Sequence, residues 1–226
     1  MLPTLAQLES IEPVVHSVLP VTPQYCWPLL CERLGAEVWL KHENHTPVGA
    51  FKVRGGLVYF AEVAKDRNVR QVMTATTGNH GQSVAFSAKR YDLSATIVVP
   101  FGNSVEKNRA MKALGAKLIE QATESPVSTR LADGMAVRTP DPEALEVIWK
   151  YVDRIVEVTD DEIAEAMRTI YECTHNSPEG AGAAAIAAMT KERGRVSGRK
   201  LAAVLSGGNV DRSIFSRVLS GTPLEN

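Results

Sequence analysis

Between Gln71 and Ile119, short apolar runs alternate with helix-patterned segments, and only a layered α/β fold accommodates that rhythm. Gln71–Ala75 reads as a short buried strand. Asn79–Tyr91 follows as a helix with Val84, Ala85, Ala88 and Tyr91 on its apolar positions. Ala95–Val99 is an apolar strand stopped by Pro100. Ser104 caps the next helix, although Lys107 stands where a capping box prefers Glu or Gln. Gly115 closes that helix as a C-terminal glycine does, and Ala116–Ile119 is the third strand. Repeats of this length predict parallel strands joined by right-handed crossovers.

The same habit flanks this unit. Glu37–Lys41 predicts a strand and Phe51–Ala64 a helix. Pro142–Val152 predicts a helix, Ile155–Val158 a strand, and Asp160–Thr174 a helix with Asp160 as N-cap. Glu179–Arg193 is an alanine-rich helix, Lys200–Leu205 a buried strand and Asp211–Leu219 a last helix. Residues 1–36, punctuated by Thr22-Pro23 and Trp27-Pro28, read as an approach segment with one short helix at Leu29–Leu34.

Composition excludes several classes. A formal charge of -1 over 226 residues offers no basic field for nucleic acid. No apolar run is long enough to span a membrane, and the first ten residues lack a signal-peptide layout, so cytoplasm is the expected compartment. Cys26, Cys31 and Cys173 make no even disulfide framework and match no common metal spacing; they read as reduced, mostly buried thiols.

The stretch Lys41–Gly56, KHENHTPVGAFKVRGG, carries the chemistry. Val38-Trp39-Leu40 feeds a turn with Pro47 and Gly49, and Phe51-Lys52 then opens a helical segment. Partial desolvation at such a place favours the neutral amine that Schiff-base chemistry needs. A solvated surface lysine is the competing reading. A second block runs Thr74-Ala75-Thr76-Thr77-Gly78-Asn79-His80-Gly81-Gln82-Ser83, and a third Val204-Leu205-Ser206-Gly207-Gly208-Asn209.

In this order the three blocks closely resemble the threonine/serine dehydratase family, pyridoxal-phosphate enzymes of fold type II, similar to the tryptophan-synthase β chain. The resemblance implies a two-domain α/β fold with mostly parallel sheets. It assigns residues 1–68 and 122–226 to a large cofactor-binding domain and residues 69–121 to a small, incomplete substrate-loop domain. It makes Lys52 the Schiff-base lysine and proton carrier, with Phe51 beside the cofactor ring. It makes Thr76, Thr77 and Gly78 a substrate-carboxylate loop at a helix N-terminus, with His80 a further carboxylate contact or, as an equal reading, a structural histidine. Asn79 resembles the asparagine that bonds the ring hydroxyl, though a helix N-cap is an equal reading. Ser206, followed by Gly207, resembles the residue facing the pyridine nitrogen, where a hydroxyl favours β-elimination; its other reading is a serine at a strand end. Glu179 resembles a residue near the ring, or is a helix-start carboxylate. Thr77 stands where racemase-like members carry serine as acid/base, and its stiffer side chain disfavours racemisation. The implied reaction is ammonia-lyase chemistry on a 3-hydroxy amino acid such as L-threonine or L-serine, in a homodimer; some family members bind a divalent cation, and no metal is assigned to this chain. The alternatives are an amino-acid racemase of the same fold and an inactive, cofactor-less remnant.

Between Ile119 and Pro140 the pattern breaks, and a structureless connection of about 20 residues is foreign to a compact domain. Family members carry here the rest of the small domain and a glycine-rich loop that holds the cofactor phosphate; no such glycine run stands in this chain. The resemblance therefore implies segments closed up near Gln121/Ala122 and near Pro126/Val127, whether omitted or truly deleted. Of the family's cation-binding segment only Glu124 remains.

Overall fold

The structure, a computed structural model, describes residues 2–122, 129, 131–137 and 139–223. Two three-stranded sheets organise them. The first contains β1 (Gln24–Cys26), β2 (Glu37–His42) and β6 (Lys200–Leu205), in the order β1-β2-β6. β1 is antiparallel to β2, while β2 and β6 run parallel in register from Glu37 opposite Lys200 to His42 opposite Leu205. The second is fully parallel, with β4 (Ser94–Pro100) between β3 (Gln71–Ala75) and β5 (Lys117–Gln121). The expected parallel α/β architecture is thus present in both halves.

Each sheet has its own core. Val38 and Leu40 of β2 and Ala203 and Leu205 of β6 turn inward onto α2 (Pro28–Leu34), α7 (Asp160–Thr174) and α8 (Gly180–Lys191). Met167, Ile170, Ile186 and Leu205 are fully buried there. Truncating any one of them to alanine costs roughly 2–5 kcal/mol. Around the second sheet, Ala95, Ile97 and Val99 of β4 pack with Val84, Ala85 and Ala88 of α4 (Asn79–Arg90) and Met111 of α5 (Val105–Ala113). α3 (Lys52–Val63) joins the halves by packing on α4. A Cβ at Gly56 would lie 2.3 Å from Ser83 Oγ, so only glycine permits this approach.

Several expectations are corrected. The approach segment contains α1 (Leu5–His16), opened by a capping box between Thr4 and Gln7, and the edge strand β1. The helix expected at Pro142–Val152 forms as α6 (Pro142–Tyr151), but Ile155–Val158 forms no strand. The Glu157 carbonyl is taken by Lys191 Nζ at 2.8 Å and Ile155 is 75% exposed, so the segment lies along the surface instead of in a ladder. The N-cap of α7 is Thr159, not Asp160: the Thr159 hydroxyl accepts from Glu162 N–H and the Glu162 carboxylate accepts from Thr159 N–H. Gly78, not Asn79, occupies the N-cap of α4, and Asn79 is the first helical residue. All three cysteines are half-buried. Glu124 and the Pro126/Val127 junction lie outside the described residues.

Candidate active site

Parallel pairing brings the C-terminal ends of β2 and β6 together, and the site grows from those ends. The Thr46 hydroxyl closes the turn after β2 by bonding both N–H and C=O of Ala50, at 3.0 and 2.8 Å. Gly49 adopts φ +67°, and a Cβ there would meet Asn209 Oδ1 at 2.6 Å. The turn is then joined to the segment after β6: Phe51 N–H donates to Ser206 C=O at 3.0 Å and Gly208 N–H to Gly49 C=O at 2.9 Å. Lys52 therefore leaves a backbone fixed directly against Ser206.

A buried ion pair fixes the same connection from below. Arg54 Nε donates to Glu43 Oε2 at 2.7 Å and Arg54 Nη2 to Glu43 Oε1 at 3.0 Å, while the Thr22 hydroxyl donates to Glu43 Oε1 at 2.7 Å. Burial alone raises the Glu43 carboxyl; the bonds from Arg54 and Thr22 outweigh it and hold the group below its ordinary range.

The other wall comes from the second sheet. Thr76 N–H still bonds Val98 C=O, after which the chain turns into α4. Asn79 bridges the halves: its Nδ2 donates to Glu179 Oε1 at 2.7 Å and its Oδ1 accepts from Asn209 Nδ2 at 2.8 Å. A Cβ at Gly207 would stand 2.3 Å from Glu179 Oε1, so glycine there admits the carboxylate. Burial pushes the Glu179 carboxyl up, against the opposing charge of Lys107 and the bond from Asn79. The crowding of the pocket, then the charge of Lys52, hold the His80 imidazole below its ordinary range.

Phe51, Lys52, Thr76, Thr77, Gly78, Asn79, His80, Glu179 and Ser206 all line one cavity of about 500 Å³. Gly207 lies behind it, against Glu179. Sequence reasoning missed Lys107, which reaches in from the first turn of α5, and Asp133, whose carboxylate accepts from the Thr77 hydroxyl at 2.9 Å. The Asp133-Gly134 pair within the pattern break is a turn signal.

The donor set suits an aldehyde on a hydroxylated pyridine: a primary amine at Lys52 and a hydroxyl at Ser206 on one wall, and an amide at Asn79 on the other, line the same cavity. The first turns of α4 and α8 open onto the cavity, with Lys107 beside Gly78, which suits anionic groups. The amide of Asn79 is engaged by Glu179 and Asn209, which fixes its plane while leaving one N–H and one lone pair for a ligand.

A model of the family described as pyridoxal-phosphate dependent enzymes matches residues 19–126 and 120–207, which is most of the chain. The chain belongs to that family, and its cofactor is pyridoxal phosphate. The two matched stretches meet at 120–126, where the sequence pattern breaks. An L-threonine ammonia-lyase of Thermotoga maritima is 24% identical over 314 residues, covering 96% of this chain and 78% of the relative. That span exceeds this chain's matched length by roughly a hundred residues, so the relative carries additional segments within it. The processed form of threonine deaminase isoform 2 from Solanum lycopersicum superposes with a TM-score of 0.80 at 20% identity, over 98% of this chain and 95% of that one. A pyridoxal 5'-phosphate-dependent aspartate racemase also reaches 0.80, at 18% identity over 93% and 97%. At these identities the superpositions establish the fold alone. Among the described residues no helix is long and apolar enough to cross a membrane.

Proposed function

We propose that this chain is an ammonia-lyase that removes water and then ammonia from a small 3-hydroxy amino acid, with L-threonine and L-serine as the first candidates. Residues 69–121 serve as its smaller, substrate-loop unit, and residues 1–68 with 122–226 as the larger. The observation that carries the reading is the convergence of Lys52, Asn79 and Ser206 on one cavity, with the N-terminus of α4 opening beside them. The names of the ammonia-lyase and deaminase relatives point the same way.

Bound there, the cofactor supplies an electron sink for charge developing at the substrate α-carbon. The protein's part is positional and protonic. Lys52 would hold the aldehyde, and its free amine would take the α-proton on Nζ. Backbone N–H groups at Gly78–His80 would orient the substrate carboxylate, and Phe51 would lie beside the ring. The Ser206 hydroxyl would be a neutral partner for the ring nitrogen, which would leave that nitrogen largely unprotonated and favour expulsion of the β-hydroxyl. The Thr77 hydroxyl donates to Asp133 Oδ2, so it would take up a proton at its oxygen and pass its own to Asp133, as an acid/base group beside the substrate.

Full-length protein with pyridoxal phosphate is expected to release ammonia and a 2-oxo acid from L-threonine or L-serine, and Lys52→Ala to release neither. A D-amino acid formed without oxo acid would replace this reading with a racemase. Bound cofactor without any turnover across a panel of 3-hydroxy amino acids would leave the remnant reading.

A further inference from the structure

We propose that Cys26 and Cys31 form a reversible disulfide site, remote from the reaction chemistry. Their sulfurs are in contact at 3.4 Å, across a turn made of Trp27, Pro28, Leu29 and Leu30. A disulfide needs about 2.05 Å, so closure asks only for a small movement of two side chains.

The contact is held from both sides, which separates it from a chance approach in a loose loop. Cys26 ends β1 and pairs with Trp39 across the ladder. Cys31 lies one turn into α2, its N–H on Trp27 C=O at 2.9 Å, and its sulfur accepts from Val38 N–H at 3.2 Å. Adjacent residues of β2, Val38 and Trp39, therefore position the two thiols against each other. Both are half-buried, so a small oxidant reaches them. The contact with Cys31, then burial, keeps the Cys26 thiol above its ordinary range, so Cys26 begins as the thiol and closure is a matter of exchange, not of an exceptionally reactive thiolate.

The chemistry balances with a low-molecular-weight disulfide as oxidant. One thiolate attacks a sulfur of the oxidant, breaking its S–S bond and releasing one small thiol. The second cysteine, losing its proton, attacks the protein-bound sulfur and releases the second small thiol. Two protein thiols are oxidised to one disulfide, and one small disulfide is reduced to two thiols. The new bond ties the three-residue edge strand β1 to α2. It also fixes Trp27, whose indole N–H donates to Nε2 of the buried His42 at 2.9 Å, at the end of the strand that leads to Lys52.

The test is intact-mass analysis of the full chain equilibrated with oxidised glutathione, followed by digestion without reduction. The expected product has lost two hydrogens, with the link mapped to the peptide holding Cys26 and Cys31, and dithiothreitol restores the original mass. Cys26→Ser and Cys31→Ser should each stop at a glutathione adduct, while Cys173→Ser should close as the parent does. The oxidised chain should unfold at a higher temperature than the reduced one. A persistent glutathione adduct on the parent chain, a link through Cys173 or to a second chain, or no reaction at all would overturn the proposal. So would a lower unfolding temperature on closure. The parent chain alone decides the mass result, so a misfolded variant does not leave the question open.

Discussion

Replacing Glu43 with glutamine tests whether the ion pair beneath the Lys52 turn holds the fold there. The carboxylate is 7% exposed and the Arg54 side chain 26%, and the pair is bidentate. Removing one partner of a buried pair costs roughly 3–5 kcal/mol, mainly because the other charge is left without compensation. Arg54 keeps some contact with water, which sets the expectation at the lower end, about 3 kcal/mol. In a chain of this size each kcal/mol moves the unfolding midpoint by about 2–4 °C, so Glu43→Gln should lower it by roughly 6–12 °C. The matched control is Glu62→Gln. That carboxylate bonds Lys65 at 2.6 Å, a shorter distance than in the buried pair, but both side chains are more than two-thirds exposed. An exposed pair contributes little despite ideal geometry, and its loss should move the midpoint by roughly a degree or two. Thermal unfolding followed by circular dichroism reads both. Equal shifts, or a Glu43→Gln shift no larger than the control's, would refute the argument that burial rather than distance sets the strength of these pairs.

Further outcomes follow from the same geometry. Because the Glu43 carboxyl is held below its ordinary range, its contribution is present above the unfolded carboxylate value and is lost as pH falls through the folded one; Glu43→Gln should lack that acid-side loss in pH-dependent melting. Glu179 has the opposite sign. Its raised carboxyl makes stability fall as pH rises from the unfolded value through the folded one, and Glu179→Gln should flatten that fall while keeping an oxygen for Asn79. Gly49→Ala forces a left-handed residue and a Cβ 2.6 Å from Asn209 Oδ1, so chemical denaturation should show a loss of at least about 1–2 kcal/mol. Thr77→Val keeps the shape and removes the donor to Asp133, and elimination kinetics should show a lower kcat with little change in KM.

How far the sequence carried the fold depended on whether the signal was local. The alternation from Gln71 to Ile119 fixed three parallel strands because each strand's apolar run and each helix's face are written in adjacent residues. Lys52, Asn79 and Ser206 were legible through the family resemblance of the three blocks that hold them, and the structure uses glycines of those blocks for close approach at Gly49 and Gly207. What failed was non-local. Ile155–Val158 has strand composition but pairs with none of the described strands, and the Glu157 carbonyl goes to Lys191. α1 hid behind Pro13 and a mostly exposed apolar set, although its Thr4–Gln7 capping box was readable. Lys107 and Asp133 reach the cavity only through tertiary folding, from beyond β4 and from within the pattern break. The sulfur contact at Cys26 and Cys31 depends on β1 pairing with β2, which no residue in that short strand announces.

The central claim is that a single amine, that of Lys52, faces the groups that orient a pyridoxal ring. Borohydride reduction of the full chain mixed with pyridoxal phosphate, followed by peptide mass mapping, tests it most directly. The account predicts one pyridoxyl group per chain, on Lys52, and none on Lys107 despite its place in the same cavity. Labelling of Lys107 in preference, labels scattered over surface lysines, or no label at all would contradict it.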